Sequence, residues 1–222
     1  MIHPIRALAA RRFRTAACGL AAALAAAALP ASAQALFGTA EVDLSRFVIV
    51  AAPIGDGSRS QLNIYEQRSD ARPCFALQGS NPAVVDPLLS TFDFTGICNR
   101  FIDGNGYSLR IGGNDLGTVY RLSVVKEKGD TLLLALPTKA GVGPEMVVAR
   151  SGGQANGFLQ LVPEPGWTLM RRQFGGRTLG HVYVYRQDWP SAEAQPAAQP
   201  STEPAAATPA AEQPAAPQPP AL

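Results

Sequence analysis

Apolar and polar positions between residues 36 and 188 follow a β pattern almost throughout. The segment 46–52 is apolar after Arg46 and is closed by proline and glycine, which is typical of a strand buried on both faces. Period-two alternation or short apolar runs predict further strands at 61–67, 107–111, 120–124, 131–136, 145–150 and 158–162. The pattern predicts an all-β fold, a single β-sandwich or partly open barrel of about eight to ten short strands.

The last predicted hairpin is the clearest local element. Consecutive glycines at 175–176 predict a two-residue turn, because such turns need positive φ angles. Counting outward from this turn, we expect Leu169 opposite Val182 and Trp167 opposite Val184. These four side chains share one face and are expected to belong to the core.

The opposite face of this hairpin is the candidate ligand face. It carries His181, Tyr183 and Tyr185, and His181 is the only histidine beyond residue 35. We expect these side chains to face solvent or a partner. A structural histidine is the favoured interpretation, since no Gly-x-Ser-x-Gly motif supplies a nucleophile for a histidine base. A platform on which sugars stack is the alternative for the tyrosines.

The two termini differ from the central domain. Residues 1–35 combine early arginines, an apolar run at 16–29 and small residues after Pro30, which predicts a signal peptide. An apolar run this short falls below the roughly 20 residues of a membrane-spanning helix, so no transmembrane segment is expected after cleavage. Cys18 leaves lipidation as a minor alternative. Residues 189–222 are rich in proline and alanine and predict a disordered tail.

Cys74 and Cys98 are the only cysteines that remain after signal cleavage. An oxidising compartment favours their pairing as a disulfide, and a free reactive cysteine is the alternative. Within the enclosed loop we expect a turn at 80–82, a single helical turn capped by Asp86, and a strand at 92–94.

The net charge and the available metal-ligating residues limit the kinds of partner and cofactor that we expect. Four of the 19 basic residues and none of the 17 acidic ones precede residue 34, so the mature chain has a net charge of 15 − 17 = −2. That balance argues against a nucleic-acid partner. One histidine and two paired cysteines cannot form a zinc site. The clusters 103–106 and 112–115 are interpreted as turns at opposite ends of a strand, not as calcium loops, so we expect no metal and no cofactor.

The acidic residues permit only a weak case for catalysis. A glycosidase needs two carboxylates at a defined separation. The candidate carboxylates are Asp86, Asp93, Asp103, Asp115 and Glu164. Each has a turn, cap or surface explanation, so we assign no catalytic residue and expect no enzymatic activity.

Several short motifs together resemble a known family. They are RPC at 72–74, GSNP at 79–82, VDPLL at 85–89, FDFTGIC at 92–98 and NGYS at 105–108, followed by GW at 166–167 and GHVY at 180–183. This part of the chain resembles the cyanobacterial domain-of-unknown-function family numbered 3747. The resemblance implies an exported envelope protein of a photosynthetic bacterium. That family has no established activity, so it supplies no catalytic residue.

These observations lead to three functional hypotheses. The first is an exported, non-catalytic module, periplasmic, cell-surface or extracellular, that binds envelope glycan, peptidoglycan or a surface protein. The second is a secreted hydrolase that acts on envelope polysaccharide or peptidoglycan. The third is a structural protein without a small ligand. Export, β architecture and the lack of a recognised catalytic motif favour the first hypothesis.

Overall fold

The computed structural model describes residues 36–190, and the protein is almost entirely β in this range. Two 3-10 helices, Leu44–Arg46 and Leu88–Thr91, interrupt the strands. The strands are β1 (Gly38–Glu41), β2 (Phe47–Ile54), β3 (Arg59–Gln67), β4 (Ala76–Gln78), β5 (Val84–Asp86), β6 (Cys98–Phe101), β7 (Tyr107–Ile111), β8 (Asn114–Asp115), β9 (Tyr120–Glu127), β10 (Asp130–Pro137), β11 (Met146–Arg150), β12 (Leu159–Gln160), β13 (Val162–Pro163), β14 (Trp167–Phe174) and β15 (Arg177–Arg186). The predicted signal peptide, and the predicted tail beyond residue 190, lie outside the described residues.

These strands form three sheets. The first sheet has the order β1-β14-β15-β7-β8, the second β13-β11-β10-β9, and the third β4-β5-β12-β2-β3-β6. Within the described range, the pairing of β15 with β7 is parallel and the other pairings are antiparallel. Residues 36–190 contain no helix long and apolar enough to cross a membrane. The all-β prediction is confirmed, although the fifteen strands within residues 36–190 exceed the expected number because several are only two or three residues long.

One hydrophobic core receives side chains from all three sheets. Ile64 from the third sheet, Leu133 from the second and Val184 from the first are each at most 1% exposed. The edge strand β9 of the second sheet lies beside β3 and β7, so the sheets curve around a shared interior. This arrangement agrees with the predicted single domain of sandwich or partly open barrel type.

Strand β2 is buried on both faces, as its continuous apolar run predicted. Ile49 and Ala51 point into the main core. Val48 and Val50 alternate with them and point into a second, smaller cluster that contains the disulfide. Because successive strand residues face opposite sides, one strand connects two apolar clusters.

The disulfide between Cys74 and Cys98 is confirmed, with their Cα atoms 5.9 Å apart. Both cysteines are buried with Leu89 and Val85 in the smaller cluster. The side-chain amide of Gln67 organises the entry to the loop, since its oxygen accepts the N–H of Cys74 at 2.8 Å. The disulfide therefore closes an apolar cluster beneath the third sheet.

Two details inside the disulfide loop were predicted wrongly. Asp86 belongs to β5, and the helical turn Leu88–Thr91 has Pro87 at its N-cap position without a side-chain cap. The segment 92–94 is not a strand: Asp93 accepts the N–H of Thr95 in a turn. Its neighbouring phenylalanines pack on the smaller cluster, so alternating burial is present without strand pairing.

The last hairpin has the predicted turn and core face but a different register. Gly175 and Gly176 have φ angles of 53° and 77°, as the turn requires. An irregularity between Arg171 and Gln173 shifts the pairing, so Leu169 lies opposite Val184 instead of Val182. The shift is two residues, an even number, and each side chain therefore keeps its face of the sheet.

Removing the disulfide should destabilise the domain. Replacing both Cys74 and Cys98 by alanine removes the covalent link between two residues that are 24 positions apart in the sequence. The loss of this link is expected to lower the free energy of unfolding by about 3 kcal/mol. Urea denaturation of the oxidised protein and the double variant measures this difference. Thiol alkylation of the native protein should find neither cysteine free, and labelling of both would contradict the pairing.

Candidate functional site

A cleft of about 570 Å³ opens where β7 of the first sheet meets β9 of the second. Its polar side chains are Ser108, Asp115, Thr118, Arg121 and Arg172, and its aromatic side chains are Phe37, Tyr107 and Tyr120. Burial raises the pKa of Tyr107 to about 12, so its phenol stays neutral. The cleft therefore combines flat apolar surfaces with charged and hydroxyl groups.

His181 lies behind this cleft with both ring nitrogens engaged. Nδ1 is 2.9 Å from the backbone carbonyl of Asn105, and Nε2 is 2.9 Å from Oγ of Ser108. A carbonyl only accepts, so Nδ1 carries a proton and donates it to Asn105. In the neutral imidazole Nε2 is then unprotonated and accepts the hydroxyl proton of Ser108.

The surroundings of His181 favour that neutral form. Burial lowers the pKa of His181, and the positive charges of Arg172 and Arg171 lower it further, against the opposing effects of the Asn105 carbonyl and the Asp115 carboxylate. Taking an imidazolium out of water costs free energy, and nearby cations add to that cost. At neutral pH the imidazole is therefore a free base.

Asp115 is the centre of a charged network on the outer face of the first sheet. Its Oδ2 accepts from Tyr183 Oη at 2.8 Å and from Arg172 Nη2 at 2.8 Å. Its Oδ1 accepts the N–H of Gly117 at 3.2 Å. Burial alone would raise the pKa of Asp115, but these hydrogen bonds and the charges of Arg172 and Arg110 outweigh burial and lower it. Asp115 is therefore an anion at neutral pH.

The expected exposure of His181 and Tyr183 is wrong. His181 is 8% exposed and Tyr183 is fully buried. The guanidinium groups of Arg110 and Arg172 lie 5.0 and 4.9 Å from the centre of the Tyr183 ring, and they occupy the aromatic surface that a sugar would need. Tyr185 is half-buried and donates to Gln187. The assignment of these three residues to a ligand site stays a prediction.

Ser108 is the residue that connects the histidine with the cleft. It lies on β7 beside Tyr183 of β15 in the parallel pair. Close packing of Gly117 holds it in place, since a Cβ atom at that glycine would lie 2.9 Å from Cβ of Ser108. The turn after β8 can therefore approach Ser108 only with glycine at this position.

The predicted acidic residues do not converge. Of the five carboxylates only Asp115 lines the cleft. Asp103 accepts the N–H of Asn105 in a tight turn, and Glu164 pairs with Arg150. Across residues 36–190 no group of three or more His, Cys, Asp or Glu side chains is placed to hold a metal ion.

Sequence reasoning missed Ser108, Arg110 and Arg172 as members of the site. Both polar positions of the 107–111 strand, Ser108 and Arg110, are buried. Strand β8 also folds back on β7, so Asn105 of the cluster 103–106 contacts His181 and Asp115 of the cluster 112–115 contacts Ser108. Predicting the parallel pairing of β7 with β15 would have revealed these contacts.

Asp115 should contribute measurably to stability. Replacing it by asparagine leaves the cation of Arg172 without its anion, and we expect a loss of about 1–2 kcal/mol in the free energy of unfolding. Asp70→Asn is the matched control, because Asp70 pairs with Arg46 but its side chain is 82% exposed. Urea denaturation should show a clearly smaller loss for that control, because solvent screens an exposed ion pair. Equal losses in the Asp115 and Asp70 variants would contradict a specific contribution of the Asp115 network to stability.

His181 should make the domain sensitive to mild acid. The unfolded chain binds a proton near its ordinary pKa of about 6.5, whereas the folded state resists protonation because burial lowers the pKa of His181. Stability should therefore fall as pH drops below that value. His181→Gln removes this proton, so its melting temperature should change less than that of wild type between about pH 7 and 5. An equal change in both proteins would contradict the assignment.

Comparison with known proteins gives one finding at the family level. No curated protein and no solved structure matches the chain. Residues 14–189 match the family described as "Protein of unknown function (DUF3747)". The match spans well over half of the 222 residues and includes the whole cleft and its charged network. The chain therefore belongs to the DUF3747 family, whose function is unknown.

Proposed function

We propose that this chain is an exported cell-envelope protein that binds a wall or surface glycan in the cleft between β7 and β9. The observation that carries the proposal is the cleft itself, which at about 570 Å³ has the size of a small-ligand site. It accepts a segment of polymer better than a compact molecule sealed from water, because it opens along the seam between two sheets.

The side chains of the cleft suit a sugar chemically. A sugar ring has an apolar face that packs on aromatic rings, and Tyr107 is half-buried on the wall. Sugar hydroxyls hydrogen-bond to charged groups, and Arg121 is exposed at the cleft. Both kinds of contact are available within a single opening.

Export is supported by two independent features. Residues 1–35 have the layout of a signal peptide. The disulfide between Cys74 and Cys98 suits an oxidising compartment such as the periplasm or the cell surface. The resemblance to cyanobacterial family members further favours the envelope of a photosynthetic bacterium as the destination.

The geometry gives little support to hydrolysis by a pair of carboxylates. Such hydrolysis needs two carboxyl groups flanking one bond. In the described part of the chain Asp115 is the single predicted carboxylate on the cleft wall, and its charge is paired with Arg172. The competing glycosidase hypothesis therefore ranks below binding.

Binding is tested by co-sedimentation of the exported protein with purified peptidoglycan and with envelope polysaccharide. Arg121→Ala should weaken retention about tenfold, since a charge-assisted hydrogen bond is worth about 1.5 kcal/mol or more. Arg59→Ala is the matched control, because Arg59 is an exposed arginine at the start of β3, outside the cleft lining.

Two results would contradict the proposal. Absence of wild-type protein from every envelope fraction would exclude envelope binding. Equal retention of the Arg121 and Arg59 variants would exclude the cleft as the binding surface.

A further inference from the structure

We propose that Ser108 and His181 act as nucleophile and general base in the cleavage of a carboxylic ester. The ester is an O-acyl group on the glycan in the cleft. This identification of the substrate rests on the proposed function. The activity goes beyond binding, and it uses a pair of residues that lie 73 positions apart in the sequence.

The first support is the arrangement of three groups in series. Ser108 Oγ is 2.9 Å from Nε2 of His181, and Nδ1 of the same ring is 2.9 Å from the carbonyl oxygen of Asn105. An activated serine needs a base within hydrogen-bond distance and a third group that orients that base. Here a backbone carbonyl orients the imidazole, in place of a carboxylate.

The orienting carbonyl belongs to a rigid turn. Asp103 Oδ1 accepts the N–H groups of Asn105 and Gly106 at 2.9 and 3.3 Å. Gly106 packs closely on Phe101, where a Cβ atom would lie 3.0 Å from the phenylalanine Cβ. The turn therefore holds the Asn105 carbonyl at a fixed position against His181, which keeps the ring in the tautomer that accepts the serine proton.

The second support is the position of the two residues relative to the cleft. Both are buried, 9% and 8% exposed, but Ser108 contributes to the cleft wall whereas His181 is absent from the lining. A substrate carbonyl that enters the cleft therefore meets Oγ of Ser108 before it meets the imidazole. The lowered pKa of His181 leaves Nε2 unprotonated at neutral pH.

A cation stands beside the reacting oxygen. Arg172 Nη2 is 3.5 Å from Ser108 Oγ and lines the same cleft, so it can stabilise negative charge that develops on the substrate carbonyl. Asp115 Oδ1 is 3.4 Å from Oγ and would oppose that charge. Arg172, Tyr183 and the Gly117 N–H all donate to Asp115, which reduces its effect.

The chemistry balances with water as the co-reactant. Ser108 Oγ attacks the ester carbonyl carbon while its proton passes to Nε2 of His181. The bond from carbon to the alcohol oxygen then breaks, and His181 gives its proton to the departing alcohol. Water attacks the acyl-serine carbonyl carbon while His181 takes a proton from this water; the bond from that carbon to Oγ then breaks, and His181 gives the proton to Oγ, which restores the Ser108 hydroxyl and the neutral imidazole. The products are a carboxylic acid and an alcohol.

The test is covalent labelling of the full-length exported protein with a fluorophosphonate probe, followed by peptide mapping, and hydrolysis of p-nitrophenyl acetate. We expect one adduct, on Ser108, and its loss in Ser108→Ala. His181→Gln should slow both labelling and hydrolysis at least about a hundredfold, the contribution of a general base. Ser151→Ala is the matched control, since Ser151 is also buried but hydrogen-bonds to Asp130 and not to histidine.

The wild-type result decides the proposal even if a variant fails to fold. Folded wild-type protein without a Ser108 adduct from about pH 6 to about pH 9, or with the adduct on another residue, would overturn it. Retention on envelope glycan without a Ser108 adduct would refute the esterase and leave glycan binding intact. A Ser108 adduct without retention would confirm the serine–histidine pair and refute the glycan as its substrate.

Discussion

The parallel pairing of β7 with β15 is the contact on which the arrangement of the site depends. Parallel strands need a long connection, and here it contains the whole second sheet and the first strand of the last hairpin. Tyr183 comes to lie beside Ser108, and His181 reaches the same serine diagonally. Without this pairing the serine and the histidine would belong to separate hairpins, and Arg110 would have no aromatic partner on β15.

Ion pairs on the two faces of the first sheet connect β14 to its neighbours. On the outer face Asp115 joins Tyr183 of β15 to Arg172 of β14. On the core face Arg171 pairs with Glu66 of β3, which connects the first sheet to the third. Buried ions need such partners because desolvation is costly. Arg171 and Arg172 therefore form ion pairs on opposite faces of the sheet, and these two ion pairs fix the position of β14 relative to its neighbours.

Features that are determined by neighbouring residues in the sequence were predicted correctly, whereas features that depend on distant residues were not. Alternation within a strand and the glycine pair at 175–176 are local, and they identified the strands, the turn and the core face. The disulfide followed from the number of cysteines. The register of the hairpin was predicted wrongly, because an irregularity between Arg171 and Gln173 interrupts the count outward from the turn. Exposure of His181 was predicted wrongly because the groups that cover it come from distant parts of the chain.

The buried outer face changes where a ligand should be sought. A polar stripe on a strand usually faces water, but here Arg110, Tyr183 and Asp115 satisfy one another within the protein. A ligand would have to break these bonds to use the hairpin stripe. Ser108 and Arg172 belong to the network and also to the cleft wall, so the network meets a ligand only at that edge. Binding and chemistry are therefore expected at the seam between β7 and β9, where polar groups of the network are accessible without disrupting it.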